Sequence, residues 1–200
     1  LPQGWYRITE TLKMKPDTKL IGLHPFGTQF RLDESTAAFS GFGGPKAMVE
    51  SSEGGANMLM GIGINTGGYN YRAVGVKWMA NADSYMNDVK FVGGHGGLWK
   101  PKPGVEEPRG RWNRPARISS PDNPVAASGM DLAWDNQYWS LWVTNNGGGT
   151  FKDIWTASTY ATNGFYANNT STPGRIYAMS IEHHVRNEVR FNKVSNWKVY

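Results

Sequence analysis

Between residues 57 and 93, three short runs of alternating apolar and polar side chains (57–65, 73–79 and 84–93) follow so closely that no helix fits between them. Each run is bounded by Gly, Asn, Asp or Pro, the signature of short strands joined by tight corners. The first and third resemble one another at a spacing suited to successive coils of a solenoid, in which inward side chains are buried by the neighbouring coils. Ile62, Ile64, Val74, Val76, Val89 and Phe91 are therefore the expected core. Asn suits the corners because it tolerates left-handed backbone and its amide can bond the next coil. A sandwich is the structural alternative, because it too is built from short, evenly spaced strands.

The composition agrees with an all-β chain. There are 25 Gly, 9 Trp, 9 Tyr and 8 Phe in 200 residues, against 18% charged residues. Turns and large aromatic surfaces favour strands over helices. No run approaches the roughly 18 apolar residues of a membrane span, so no membrane partner is expected. The absence of Cys excludes disulfides and thiolate metal sites. The sequons beginning at Asn168 and Asn169 are short enough to arise by chance.

The chain reads as one domain over residues 1–200, interrupted by a Pro-rich basic loop at about 99–124 that contains Lys100, Lys102, Arg109, Arg111, Arg114 and Arg117. That loop contributes to a net charge of +5, which would suit an acidic polysaccharide. No nucleic-acid motif accompanies it, and no nucleic-acid partner is expected. A short helix or turn is expected at 130–135. The first residues lack a signal pattern, and Tyr200 is expected to fall inside a continuing strand. Both ends are expected to continue, in a longer parent protein or against another chain.

Strands also open and close the sequence. Pro2, Gly4, Tyr6, Arg7, Ile8, Leu12, Thr18, Leu20, Ile21 and Gly22 form a turn-strand-strand pattern. This pattern resembles the entry rung of pectate-lyase-like right-handed parallel β-helices. The resemblance implies an all-β right-handed parallel β-helix, a piece of a longer or double one, but no particular reaction.

Candidate chemistry gathers between residues 180 and 200. Glu182 lies beside His183 and His184, ahead of Arg186, Glu188 and the alternating run 189–191. If 180–184 is extended, Glu182 and His184 share a face and His183 takes the other, which leaves the two imidazoles poorly placed for one metal. No metal and no organic cofactor is expected. A buried Glu182 would be costly without a partner, so it either lies in a groove or is compensated by His184 and Arg186.

The other candidate carboxylates are Asp83, Asp88, Asp131, Asp135, Asp153 and Glu188. Asp88 and Asp153 read as caps just ahead of strands. Serine-triad and HExxH signatures are absent, and the Gly-rich run at 41–46 lacks phosphate-loop spacing. His95, set between glycines, allows close approach of a sugar. Trp139 is expected on the face opposite Leu141 and Val143, and one of Trp139 and Trp142 is expected to face outward, where an indole stacks on a pyranose.

Ile181, Glu182, His183, Asn187, Val189, Phe191, Val194, Asn196 and Trp197 resemble the Glu-His segment of glycoside hydrolase family 55, whose members are double β-helix enzymes, mostly exo-acting inverting β-1,3-glucanases. The resemblance implies that Glu182 is a catalytic or water-positioning carboxylate and His183 a groove residue. It puts the second glutamate on a segment beyond Tyr200. The family has a Tyr-rich strand where this chain has 185–191, which points to a sister group with another glycan.

The expected function is secreted glycoside hydrolysis of a polysaccharide, with Glu182 catalytic and His183, His184, Arg186, His95, Trp139 and Trp142 binding substrate. Two alternatives stand beside it. One is a lyase acting on an acidic glycan, with Arg186 or the basic loop neutralising uronates. The other is a glycan-binding or adhesive β-helix without catalysis.

Overall fold

A computed structural model describes residues 1–41, 43–68, 70–92, 137–156, 159, 161–182, 184 and 186–200. Those residues form strands and turns with no helix, and every strand pairing among them is parallel. The sheet that begins the chain contains β1 (Gly4–Arg7), β3 (Lys19–Ile21), β4 (Thr28–Arg31), β6 (Met58–Met60), β7 (Gly63–Asn65), β9 (Tyr85–Phe91), β11 (Gly149–Thr156), β13 (Gly174–Ile181) and β15 (Trp197–Val199). The facing sheet contains β2 (Leu12–Lys13), β5 (Lys46–Glu50), β8 (Ala73–Trp78), β10 (Gln137–Val143), β12 (Ala161–Thr170) and β14 (Asn187–Val194). We call these sheets A and B.

The two sheets alternate along the chain, and each coil lays its strands directly on those of the coil before. Asn163 pairs with Asn187, 24 residues on, and Met58 with Tyr85, 27 on. This is a parallel β-helix. A sandwich is excluded, because its sheets are antiparallel. The 57–65 and 84–93 runs do stack as neighbours in sheet A, and 73–79 lies in sheet B.

Two columns of left-handed residues turn the corners. In sheet A the registers align Gly61, Asp88, Asp153 and Ala178, with φ of 64°, 50°, 51° and 52°. In sheet B they align Asn145, Asn169 and Lys193, with φ of 51°, 49° and 55°. Gly, Asn and Asp adopt this conformation at least cost, so their presence sets where a strand bends without leaving its ladder. Asp88 and Asp153 are thus corner residues inside long strands, not caps ahead of them. Elsewhere buried Asn does reach between coils: the Asn57 amide donates to the Lys15 carbonyl at 2.8 Å.

A second bend runs down sheet B. Its ladders skip the row Met48, Gly75, Ser140, Gly164 and Glu188. At this row two successive residues turn inward, as in Met48 and Val49, which are both in the main core. Strict alternation would leave Trp139 on the same side as Leu141 and Val143. The bend instead places Trp139 with Ala47, Val74, Tyr138 and Tyr166 in a separate cluster.

The interior is filled by aromatic and branched side chains. Phe151 meets Trp78, Phe165 and Trp197 within 6.1 Å, bridging the two sheets. The buried Trp78 indole donates to the Gly148 carbonyl at 3.0 Å, satisfying its one polar group. Of the core residues expected from sequence, Ile62, Ile64, Val76, Val89 and Phe91 line this interior, while Val74 is buried in the second cluster.

The corner column can be tested at Gly61. A Cβ added there would stand 2.4 Å from the Gly22 carbonyl oxygen, on a backbone at positive φ. Gly61→Ala is expected to lower stability by about 2 kcal/mol or more in denaturant unfolding. A change within about 0.5 kcal/mol, the ordinary range for surface substitutions, would show that the corner tolerates displacement.

Candidate functional site

Chain passing from the end of a sheet A strand to the start of the next sheet B strand turns the same corner of the solenoid in successive coils. The connections 157–160 and 182–186 take four and five residues, whereas β9 and β10 are separated by residues 92–136. Long connections on a rigid scaffold are where function is usually carried. The basic loop, His95, Asp131, Asp135 and the expected helix at 130–135 all fall outside the described residues, as does His183.

Glu182 follows the last residue of β13. Its backbone N–H reaches the Thr156 carbonyl and hydroxyl at 3.3 and 3.2 Å, which anchors it to the coil before. Its carboxylate accepts the Trp155 indole N–H at 2.7 Å. A charge-assisted bond of this length fixes the carboxylate's direction. Glu182 is half-buried, so it lies at an edge and not in the interior.

Trp155 continues outward along the surface. Its register neighbours are Lys90 and Ser180, and its ring meets Phe26 edge-on at 5.7 Å. Phe26, 48% exposed, lies 5.7 Å from the His24 ring. The loop carrying them lies across sheet A because Gly63 leaves room for the Pro25 carbonyl, which a Cβ would meet at 2.1 Å. A pocket of about 330 Å³ follows, lined by Gln3, Leu23, His24, Phe26, Gly27 and Thr28. The sequence reading missed this line, whose members come from three distant segments. The Leu23-His24-Pro25-Phe26 run, two large apolar side chains flanking a histidine and a proline, was its only local sign.

Below Trp155, the Lys90 ammonium is held by Asp88 at 3.2 Å and Asp153 at 2.9 Å. The two carboxylates are register neighbours on adjacent coils, and Lys90 offsets their repulsion. Farther along the same sheet, Arg31 lies 4.1 Å above the Trp5 ring. Burial lowers the Arg31 pKa from its ordinary value, with Asp33 opposing the shift.

His184 takes a different place from Glu182. Its side chain is fully buried, and its ring lies between two sets of partners. Nδ1 donates to Glu188 Oε2 at 2.7 Å, and the backbone N–H donates to Oε1 of the same carboxylate at 3.2 Å. Nε2 lies 3.0 Å from the Thr159 hydroxyl and 3.3 Å from that of Ser140, which are themselves 3.2 Å apart. Gly164 provides the slot, since a Cβ there would stand 2.8 Å from His184 Cε1.

Carboxylate, imidazole and hydroxyl in series is the order that activates a nucleophile. Here Ser140 and Thr159 are 2% and 4% exposed, so a substrate has no approach to either. The arrangement is instead a clasp between β10, the 157–160 connection and β14. His184 is thereby placed as a structural partner and not as a surface contact for substrate. Arg186 is exposed, and its backbone N–H reaches the Thr162 carbonyl at 3.2 Å.

The two tryptophans of β10 also part company. Trp139 is 2% exposed and packs 4.6 Å from Trp142 and 4.8 Å from Tyr166, so it offers no open face to a sugar. Trp142 is half-buried beneath Lys77, with its N–H on Asn168 at 2.7 Å. No group of three or more His, Asp or Glu suited to a metal occurs among the described residues.

Removing the His184 ring leaves two buried hydroxyls short of a partner and a hole beside Gly164. His184→Ala should cost about 2–4 kcal/mol in equilibrium unfolding, whereas Glu188→Gln, which keeps an acceptor, should cost about 1 kcal/mol or less. Equal losses for the two variants would contradict the clasp.

No family model, curated protein or solved structure matches this chain.

Proposed function

We propose that this chain is a glycoside hydrolase of the parallel β-helix kind, or the part of one, acting on a neutral polysaccharide such as a β-glucan. The observation that carries the reading is the unbroken line from the Glu182 carboxylate through Trp155 and Phe26 to the His24 pocket. A carboxylate at one end of an aromatic track is what hydrolysis of a bound glycan requires. The rings stack on apolar sugar faces, and the acid or base acts at the scissile oxygen or on water.

Glu182 fills the catalytic or water-positioning role, and the Trp155 N–H fixes which oxygen faces the substrate. Glycoside hydrolysis needs a second carboxylate, set about 6.5–9.5 Å away when configuration is inverted. On the family resemblance, that residue comes from beyond Tyr200. The charge of the track favours a neutral substrate over a uronate, which would need cations. Lys90, the register neighbour of Trp155, is already shared between two aspartates.

In the complete protein, Glu182→Gln should lower kcat on the preferred glucan by about 100-fold or more, with KM changed little. Trp155→Phe keeps the ring and loses the N–H, and should lower kcat by roughly 10-fold or more. Reducing-end release without ultraviolet-absorbing unsaturated products is the expected readout. Unsaturated products would establish a lyase. Near-normal turnover of Glu182→Gln would exclude the assignment, and binding without turnover across a broad glycan panel would favour the adhesive alternative.

A further inference from the structure

Among the described residues, sheet A sets like charges side by side on neighbouring strands in three places. Asp88 and Asp153 are the first, and the Lys90 ammonium lies 3.2 and 2.9 Å from their carboxylates. Arg7 and Arg31 are the second, and Asp33 serves both: its carboxylate bonds Arg7 at 2.7 Å and its charge also acts on Arg31. Arg175 and Lys198 are the third, register partners on β13 and β15. Like charges opposite one another on paired strands are destabilising, and in the first two places the chain offsets this from within. Arg175 and Lys198 are both exposed, and neither forms an ion pair among the described residues.

The rest of this face offers no carboxylate to them. Ile176 and Phe151 point into the core, so their strand neighbours Arg175, Tyr177 and Lys152 point out. The outward row through Arg175 and Lys198 starts at Lys19 and passes Met58, Tyr85 and Thr150. The row beside it runs from Ile21 through Met60, Asn87 and Lys152 to Tyr177. Neither row contains Asp or Glu. Lys152 is the register neighbour of Tyr177, whose ring stacks on that of Tyr200 at 4.6 Å with 1° between the planes. Three cations thus stand beside a pair of parallel aromatic rings.

Such a group calls for an anion, and its spacing suits a sugar polymer. Arg175 and Lys198 stand one strand spacing apart, about 4.8 Å, which is close to the length of one residue in an extended polysaccharide. Carboxylates on successive sugars can each meet a cation while the tyrosine rings take an apolar sugar face. We propose that Lys152, Arg175 and Lys198, with the stacked Tyr177 and Tyr200, form an anchoring site for a uronate-containing polysaccharide. The corner row of Gly61, Asp88, Asp153 and Ala178 separates this site from Trp155 and Glu182 farther along the strands, so it is not a subsite of the aromatic track. It holds the protein to an acidic polymer that accompanies the neutral glucan, raising the effective concentration of the glucan at Glu182. The choice of a polysaccharide among polyanions rests on the glycan reading above.

The test is isothermal titration of the complete protein with a hexameric oligomannuronate, with an oligothymidylate of matching charge for comparison, supported by melting temperatures. Wild type should bind the oligouronate saturably, and more weakly as salt rises, because exposed charges are screened. Lys198→Gln should weaken binding about 10-fold, and Arg175→Glu should abolish it. Both positions are exposed, and Arg175→Glu should leave the melting temperature unchanged or raise it, because the new carboxylate meets Lys198. Cleavage of a soluble neutral oligosaccharide should be unaltered in both variants. Binding that survives Arg175→Glu, or no binding by wild type, would overturn the proposal and leave the hydrolase reading as it stands. Oligothymidylate bound as tightly, and lost in the same variants, would mark a general polyanion surface and overturn the choice of a polysaccharide. Conversion of the oligouronate to unsaturated products would make it a substrate and overturn both the anchor and the neutral-glucan reading. Uronate binding that follows these variants in a protein that cleaves no glucan would support the anchor and count against the hydrolase reading alone.

Discussion

The stacking of left-handed corners is the constraint on which the molecule rests. A parallel ladder keeps its hydrogen bonds only if each coil bends at the same row as the coil below. Gly61, Asp88, Asp153 and Ala178 supply that row in sheet A, and Asn145, Asn169 and Lys193 supply it in sheet B. Ala178 and Lys193 take the conformation at some cost, which the aligned neighbours impose on them. Once the corners coincide, inward rows follow automatically, and large rings such as Phe151, Phe165 and Trp78 meet across the interior.

The same geometry makes the surface. Outward rows form straight tracks, and Trp155 lies on one of them with Lys90 and Ser180 as neighbours. At the end of these strands the chain turns toward sheet B, which is where Glu182 is delivered and where His184 is buried. Proximity in sequence separates the two functionally: one residue holds the rim and the next but one holds the coil together. The bend in sheet B adds a second consequence, because it moves Trp139 out of the main core, beside Asn163, whose side-chain amide has no hydrogen-bond partner among the described residues.

Much of the fold was legible in the sequence because periodicity and turn residues are local. The strands at 57–65, 73–79 and 84–93, their stacking and five of six interior residues followed from alternation and spacing alone. The corners at Asp88 and Asp153 did not, because an Asp ahead of an apolar run reads equally as a cap or as a left-handed bend. Trp139 lies opposite Leu141, as expected, but strict alternation would have put the two on one side, and the position comes from the bend at the aligned row of five strands. Glu182 was picked out by its neighbours in sequence, but its partner Trp155, and Phe26 against that ring, come from coils that only folding brings near. His184 was expected on the same face as Glu182, but its side chain is buried against Ser140 and Thr159 while Glu182 meets Trp155 at the edge.

The central claim is that the Trp155 indole N–H couples Glu182 to a glycan bound along sheet A. Its resonance in a two-dimensional NMR spectrum, assigned with Trp155→Phe, reports that contact through a single proton. Titration with a neutral gluco-oligosaccharide is predicted to shift this signal in a saturable manner and to leave that of Trp78, which donates to Gly148 inside the core, in place. A Trp155 signal that stays fixed while the oligosaccharide demonstrably binds would contradict the account.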